Sequence, residues 1–253
     1  LRTLISWLRF IKVLLWMFFV VVASYIYYPL VTMALWRKSV HRPWAHGVLN
    51  SIGSEVRITR SKLMTDEFIQ PNTMFVQNHV SWLDTIVMNS IYCTNYVGKI
   101  EMLQWGLLKN IIKSGGTVFI DRKNKRELVL ANRKIAEVLQ SGWAMGLFPE
   151  GTTSDGTTVL PFHASIFEAA ILAKSKIVPV VTRYRNEDDS LCREVTFSNK
   201  GWMESVWSTF RMKKIIIKVD ILDPIYAADF ENREAISNHL FKKVSEVYHS
   251  DLK

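Results

Sequence analysis

Cysteine is scarce in this sequence, with only Cys93 and Cys192 in 253 residues. Neither lies in a CxxC pair or a His/Cys cluster, so no metal site is expected and both read as reduced thiols. No GxSxG turn is present, which excludes the nucleophile elbow of a serine hydrolase. Internal repeats and low-complexity tracts are absent too. Acidic residues are the scarcer charge, 23 against 32 Lys and Arg, for a net charge of +9. A basic surface suits anionic lipid or nucleic acid. The cations are dispersed rather than gathered in a patch, and no nucleic-acid partner is expected.

Charge is missing altogether from residues 13–36, VLLWMFFVVVASYIYYPLVTMALW, a run of 24. That exceeds the roughly 20 residues a helix needs to cross a bilayer. It is too long for the core of a secretory signal and ends in Trp36-Arg37-Lys38, not in a small-residue cleavage site. Cations flank both ends, Arg2, Arg9 and Lys12 before and Arg37, Lys38 and Arg42 after, so the positive-inside rule sets no direction. Pro29 interrupts the run and predicts a kink or a break. Tyr25, Tyr27 and Tyr28 beside it favour the headgroup zone. A single crossing and a one-leaflet or re-entrant anchor both fit. Residues 1–42 read as the anchor and 43–253 as one catalytic domain, with no break between two domains.

After the anchor, short β-rich runs alternate with helical patterns. Strands are expected at 73–77, 95–98, 117–120, 144–148, 176–181 and 215–222. Helices are expected after residue 83, at 101–112, 125–140, 163–174 and along the C-terminal segment with Ile236, Leu240, Val244 and Tyr248. The helix at 125–140 has the clearest apolar face, and Ser141-Gly142 ends it. This alternation predicts an α/β layered domain with helices on a mostly parallel or mixed sheet. Three polar stretches follow apolar strands: Asn78-His79, Asp121-Arg122 and Glu150-Gly151-Thr152. In open α/β sheets, sites gather beyond the carboxyl ends of strands.

His79 and Asp84 carry the chemistry. A carboxylate on one ring nitrogen fixes the tautomer and leaves the other nitrogen to take a proton from a hydroxyl. No protein nucleophile accompanies the pair, and Ser81 reads as a helix cap. The hydroxyl to be activated is therefore expected on a substrate. His163, five residues before Glu168, repeats the spacing, but Glu168 reads as a mid-helix surface acid and the pair as structural. His41, His46, His239 and His249 have no matching acid. Glu150 ends an apolar strand, where an acid without a partner is expensive. Arg122 could grip a phosphate or carboxylate bidentately or pair with Asp121 or Glu150.

Four stretches in order, Asn78 to Asp84, Phe119-Ile120-Asp121-Arg122, Phe148-Pro149-Glu150-Gly151-Thr152 and Ile177-Val178-Pro179-Val180, resemble the PlsC-like glycerolipid acyltransferase family. They span roughly half the chain. The resemblance implies an α/β enzyme that moves an acyl group from an acyl thioester to a lysolipid hydroxyl. His79 would be the base and Asp84 its orienting acid. Arg122, Glu150, Gly151 and Thr152 would hold the acceptor, and Pro179 would shape packing near the acyl path. Acyl-CoA or acyl carrier protein would be co-substrate, with membrane lipids as partners and no cofactor or metal. The expected place is a bacterial inner membrane, catalytic domain on the cytoplasmic side. Family members that make phosphatidic acid often carry arginine directly after FPEGT, where Thr153 stands here. The acceptor is thus lysophosphatidic acid or, alternatively, lyso-ornithine lipid. An acyl-thioester hydrolase and a non-catalytic lipid-binding protein are the readings of other classes.

Overall fold

The computed structural model describes residues 2–120, 125–196, 198 and 201–250. A long helix, α1 (Arg2–Ile26), comes first, followed by a short helix α2 (Met33–Trp36) and, after one π-turn segment, α3 (Arg42–Ser51). The chain then builds the sheet in the order β1 (Ser54–Arg60), β2 (Thr73–Gln77), α4 (Asp84–Ile91), β3 (Thr94–Lys99), α5 (Leu108–Ser114) and β4 (Val118–Ile120). It continues with α6 (Lys125–Gln140), β5 (Ala144–Leu147), α7 (Glu168–Ala173) and β6 (Lys176–Arg185). Last come α8 (Trp202–Arg211), β7 (Ile215–Ile221), β8 (Ile225–Tyr226) and α9 (Arg233–Ser250).

The strands form one mixed sheet in the order β1-β7-β6-β2-β5-β3-β4, with β8 beside β6. The inner strands β6, β2, β5, β3 and β4 pair in parallel, so their carboxyl ends share one edge. β7 and β8 pair antiparallel with β6, and β1, parallel to β7 at the far edge, runs in the same sense as β7. The α/β expectation and its mixed sheet are what is observed.

Alternation along the inner strands splits the core in two. Phe75 of β2 and Val178 and Val180 of β6 face one layer, with Val48 of α3, Val87 of α4 and Phe210 of α8. Met74, Val76 and Ile177 face the other, with Ile135 of α6, Ala170 of α7 and Leu240 of α9. Fully buried strands lose the period-2 pattern of a half-exposed one, which is why β2 and β6 read as continuous apolar runs.

The apolar run does not form one straight helix. Helix α1 begins before it and ends at Ile26. A 3-10 turn, Tyr28–Leu30, carries Pro29 at its start, and the chain turns into α2. Pro29 breaks the run where its missing N–H and fixed φ predict. From Trp7 to Ala23, one side of α1 lies along the protein. Arg9 donates to the carbonyls of Phe210, Met212 and Lys213, Trp7 and Phe10 pack on Trp207, and Trp16 fills the space above Gly47. Val20 is wholly buried in a cluster with Trp36 and Ile111. The opposite face exposes Leu4, Leu8, Ile11, Leu15, Phe18, Val22 and Ile26, a stripe at helical spacing.

The segment 101–112, expected as one helix, is two pieces. A 3-10 helix, Ile100–Gln104, is separated from α5 by Gly106 at φ +52, a left-handed conformation that ends the first turn.

Candidate active site

The carboxyl ends of the paired strands β2 and β5 place two polar stretches side by side. Asn78 extends the β2–β6 ladder through its side chain. Its Nδ2 donates to Thr182 O at 2.9 Å, and its Oδ1 accepts from Thr182 N at 2.8 Å. A buried carboxamide that replaces backbone on both counts holds the next residue, His79, in register.

Asp84 opens α4 and is wholly buried. Its Oδ2 lies 2.7 Å from His79 Nδ1 and accepts from the backbone amides of Val80 and Ser81, each at 2.9 Å. Its Oδ1 accepts from the Tyr184 hydroxyl at 2.6 Å. An ionised carboxylate can only accept, so the proton of neutral His79 sits on Nδ1 and Nε2 keeps a lone pair. The imidazole is one-fifth exposed, and its face stacks on Phe148 with centroids 4.0 Å apart. Phe148 stacks in turn on Tyr96. A side chain on Gly146 would run into the Tyr96 ring at 2.5 Å, so glycine there makes room for the stack.

Backbone amides near a helix start can stabilise a developing oxyanion. Two of them, Val80 and Ser81, are already bound to Asp84, and the Leu83 amide is bound to Ser81 Oγ. These three groups are spent on holding the dyad. Ser81 is not the helix cap its sequence position suggests: Leu83 occupies the N-cap of α4 with no side-chain cap, and Ser81 Oγ accepts from Leu83 N within the preceding turn while its hydroxyl donates to Val195 O.

Glu150 differs from the expectation of a headgroup ligand. It is only 3% exposed, with Oε1 accepting from His79 N at 2.7 Å and Oε2 from Leu160 N at 2.9 Å. Both oxygens hold backbone, and one of the amides they hold is that of His79 itself. Burial raises the Glu150 carboxyl from 4.5 to about 7, against the pull of those two amides.

Gly151 and Thr152 are exposed, whereas Thr153 and Ser154 turn inward. Gly151 has φ +70, and a Cβ there would come within 3.1 Å of His163. His163, read from sequence as structural, instead lines a cavity of about 230 Å³ with Ile120, Phe148, Pro149 and Gly151. Nothing in the spacing of His163 and Glu168 signals this. The cue was proximity in chain to the Phe148–Gly151 turn, since His163 N donates to Pro149 O at 2.9 Å. Arg122 and Asp121 lie outside the described residues; Ile120, the last described residue before them, borders the same cavity.

Val97 lies on the wall of a second cavity too, also about 230 Å³, where Trp44, Ile86, Tyr96, Met102 and Ile111 present mostly apolar surface. His41 is on that wall, and burial together with Arg37 pushes its imidazole down to about 3, so it contributes no charge. Pro179 sits inside β6, opposite Val76 of β2. Cys93 and Cys192 are free and buried, and burial raises both thiols, so neither is an activated nucleophile.

A sheet edge carrying an Asp-held imidazole with one nitrogen left to take a proton defines an α/β enzyme of the transferase or hydrolase kind. Comparison with known proteins decides between them. Residues 56–183 match the family model described as Acyltransferase. The 1-acyl-sn-glycerol-3-phosphate acyltransferase of Neisseria gonorrhoeae is 35% identical over 182 residues, 72% of this chain and 71% of that protein. The chain therefore belongs to the Acyltransferase family and is an acyltransferase. The lyso-ornithine lipid O-acyltransferase of Pseudomonas aeruginosa is 25% identical over 78% of this chain and 74% of its own length. The crystal structure of PlsC, the 1-acyl-sn-glycerophosphate acyltransferase of Thermotoga maritima, shares the fold with a TM-score of 0.72 at 17% identity, covering 99% of this chain and 97% of that one.

Proposed function

We propose that this enzyme moves an acyl group from an acyl thioester to the free hydroxyl of a 1-acyl-glycerol-3-phosphate, giving phosphatidic acid. The observation that carries the reading is the 2.7 Å contact of His79 Nδ1 with the wholly buried Asp84. His79 Nε2 takes the proton of the acceptor hydroxyl. The acceptor oxygen bonds to the thioester carbonyl carbon, the C–S bond breaks, and the departing thiolate takes the proton from the imidazolium. Asp84 holds the ring and stabilises its transient positive charge. No protein acyl intermediate is needed, in keeping with two buried, raised thiols.

The cavity lined by Gly151 and His163 suits the acceptor, with exposed Thr152 next in chain; the family resemblance alone makes Arg122 its cation. The apolar cavity beyond Tyr96 suits a fatty acyl chain. The donor is acyl-CoA or acyl carrier protein, and no metal or cofactor enters the reaction.

The outer stripe of α1 supports a one-leaflet anchor rather than a crossing. Arg9 and Val20 both meet the protein body, although 11 residues of helix span about 16 Å. A helix docked along that length lies in the interface with its free apolar face in lipid. Residues 1–42 are thus the anchor and 43–253 the catalytic domain, on the cytoplasmic side of a bacterial inner membrane. Leu8, Leu15 and Phe18 changed together to serine should shift the protein from the vesicle pellet to the supernatant in a co-sedimentation assay. Retention on vesicles would count against the one-leaflet anchor.

The second reading keeps the chemistry and changes the acceptor to lyso-ornithine lipid. It is favoured by Thr153, an uncharged and buried residue directly after Thr152. Purified protein in vesicles, given acyl-CoA or acyl carrier protein with each lysolipid, decides by product. Phosphatidic acid from lysophosphatidic acid supports the first reading, and acylated ornithine lipid alone supports the second. Free fatty acid formed at the same rate with and without acceptor would make the protein a thioesterase and sink both.

A further inference from the structure

We propose that Tyr184 is a positioning residue of the catalytic pair, its hydroxyl occupying Asp84 Oδ1 so that Oδ2 is committed to His79. The inference rests on the reading of His79 as the base. Tyr184 belongs to none of the four sequence stretches that mark the site and lies 100 residues beyond Asp84. Strand β6 brings it there: Val178, Val180 and Tyr184 all face the layer in which α4 packs, and the tyrosine ring is 1% exposed.

The geometry divides the labour of the carboxylate. Oδ2 takes His79 Nδ1 and the Val80 and Ser81 amides. Oδ1 takes the Tyr184 hydroxyl. A carboxylate held at Oδ2 alone, by His79 and the Val80 and Ser81 amides, can still pivot about that oxygen. With Tyr184 in place the two oxygens are not equivalent, and the plane of the carboxylate is set for the imidazole. Burial and the facing Asp84 keep the phenol protonated far above its ordinary range, so it remains a donor.

Donation to Oδ1 also draws charge away from the carboxylate. Without it, Asp84 would favour the imidazolium more strongly, and His79 would hold its proton to higher pH. Among the described residues, Glu150 from the turn after β5, Tyr96 from β3 and Tyr248 from α9 also face the pair, and Cys192 faces Tyr184 itself. None of them is altered by removing one hydroxyl, so a shift reports on Tyr184.

The test compares the whole protein with Tyr184→Phe and with Tyr92→Phe. Tyr92 is an equally buried tyrosine of the same layer, but its hydroxyl donates to Thr65 O, away from the dyad. In Tyr184→Phe, kcat should fall about tenfold with the acceptor KM unchanged, the size of one charge-assisted hydrogen bond. The acidic limb of the kcat/KM profile should move to higher pH. Tyr92→Phe should lose thermal stability and move neither. Wild-type rate and limb in Tyr184→Phe, or equal shifts in both variants, would overturn the proposal.

Should Tyr184→Phe fold poorly, difluorotyrosine at position 184 keeps the fold and makes the phenol a stronger donor. The limb should then move to lower pH, and an unmoved limb or an upward shift would overturn the proposal as well. Titration of the His79 imidazole by NMR reads the same shifts without turnover. A wild-type protein inactive on every lysolipid would therefore count against the acyl-transfer reading, while the imidazole titration would still decide Tyr184.

Discussion

Two neighbouring strand ends each deliver a buried carboxylate, and the two acids have different employers. After β2, Asp84 gathers four hydrogen bonds, from His79 Nδ1, the Val80 and Ser81 amides and the Tyr184 hydroxyl. After β5, Glu150 gathers two, both from backbone, at His79 and Leu160. Asp84 holds the imidazole ring, whereas Glu150 holds the chain that carries the ring. In sequence Asp84 reads as the partner of His79, whereas Glu150 looks like an acid available to a substrate. Burial and donor count separate an acid that tunes a base from one that braces a loop.

Breaking the first of these arrangements should have the largest effect. His79→Ala removes the proton acceptor, and turnover should fall by about 100-fold to 10,000-fold, the usual worth of a general base. Asp84→Asn should come close behind, because an amide can donate to Nδ1 and favour the wrong tautomer. Neither change should raise the acceptor KM by more than a few-fold. Steady-state rates at saturating donor measure both. Retention of a tenth or more of wild-type kcat in His79→Ala would remove the base from the mechanism.

Glu150→Gln sharpens the comparison, since the two roles of an acid make opposite kinetic predictions. The glutamine keeps one acceptor for one amide but turns an NH₂ toward the other. That should cost about 1–3 kcal/mol of stability and lower kcat about tenfold, with acceptor KM unchanged. A raised KM at constant kcat would instead return Glu150 to the headgroup. The pH dependence is separate. The carboxyl sits at about 7 in the folded protein against 4.5 ordinarily, so the folded state binds protons more tightly than the unfolded one. The stability from the neutral acid is complete below about 4.5 and is lost as pH rises through about 7. The loss is on the order of 3 kcal/mol. Unfolding midpoints of the wild type should fall over this window and those of Glu150→Gln should stay level.

What could be read in advance follows the range of the interactions. His79 and Asp84 are five residues apart, and one strand-to-helix turn brings them together, so local spacing sufficed. The strands β2, β5 and β6 and the helices α6 and α9 are buried or amphipathic enough to announce themselves. Strand β1 and helix α3 were not expected: Ser54–Arg60 alternates charges at a half-exposed sheet edge, and no apolar run marks it. Helix α8 was missed as well. Tyr184 and His163 reach the site only through folding, from β6 and from beyond the turn after β5. Glu150 was seen as an acid that needs a partner, but its partners are backbone amides, and those carry no sequence signature.

The smallest expected effect comes from Gly151→Ala, and it tests whether the second turn matters through its backbone or through its side chains. At φ +70 an L-residue costs about 1–2 kcal/mol. The new Cβ would also meet His163 at 3.1 Å, a contact the exposed imidazole can relieve by turning aside. Stability should therefore drop by only about 1 kcal/mol, and activity by severalfold, through displacement of His163 from the acceptor cavity. The double variant Gly151→Ala with His163→Ala decides the cause. If the lost activity comes from His163 being pushed away, the double variant should be no slower than His163→Ala alone. Additive losses would mean that Gly151 contributes through its own close approach to the acceptor. In that case the turn after β5 would share the substrate with the dyad instead of merely supporting it.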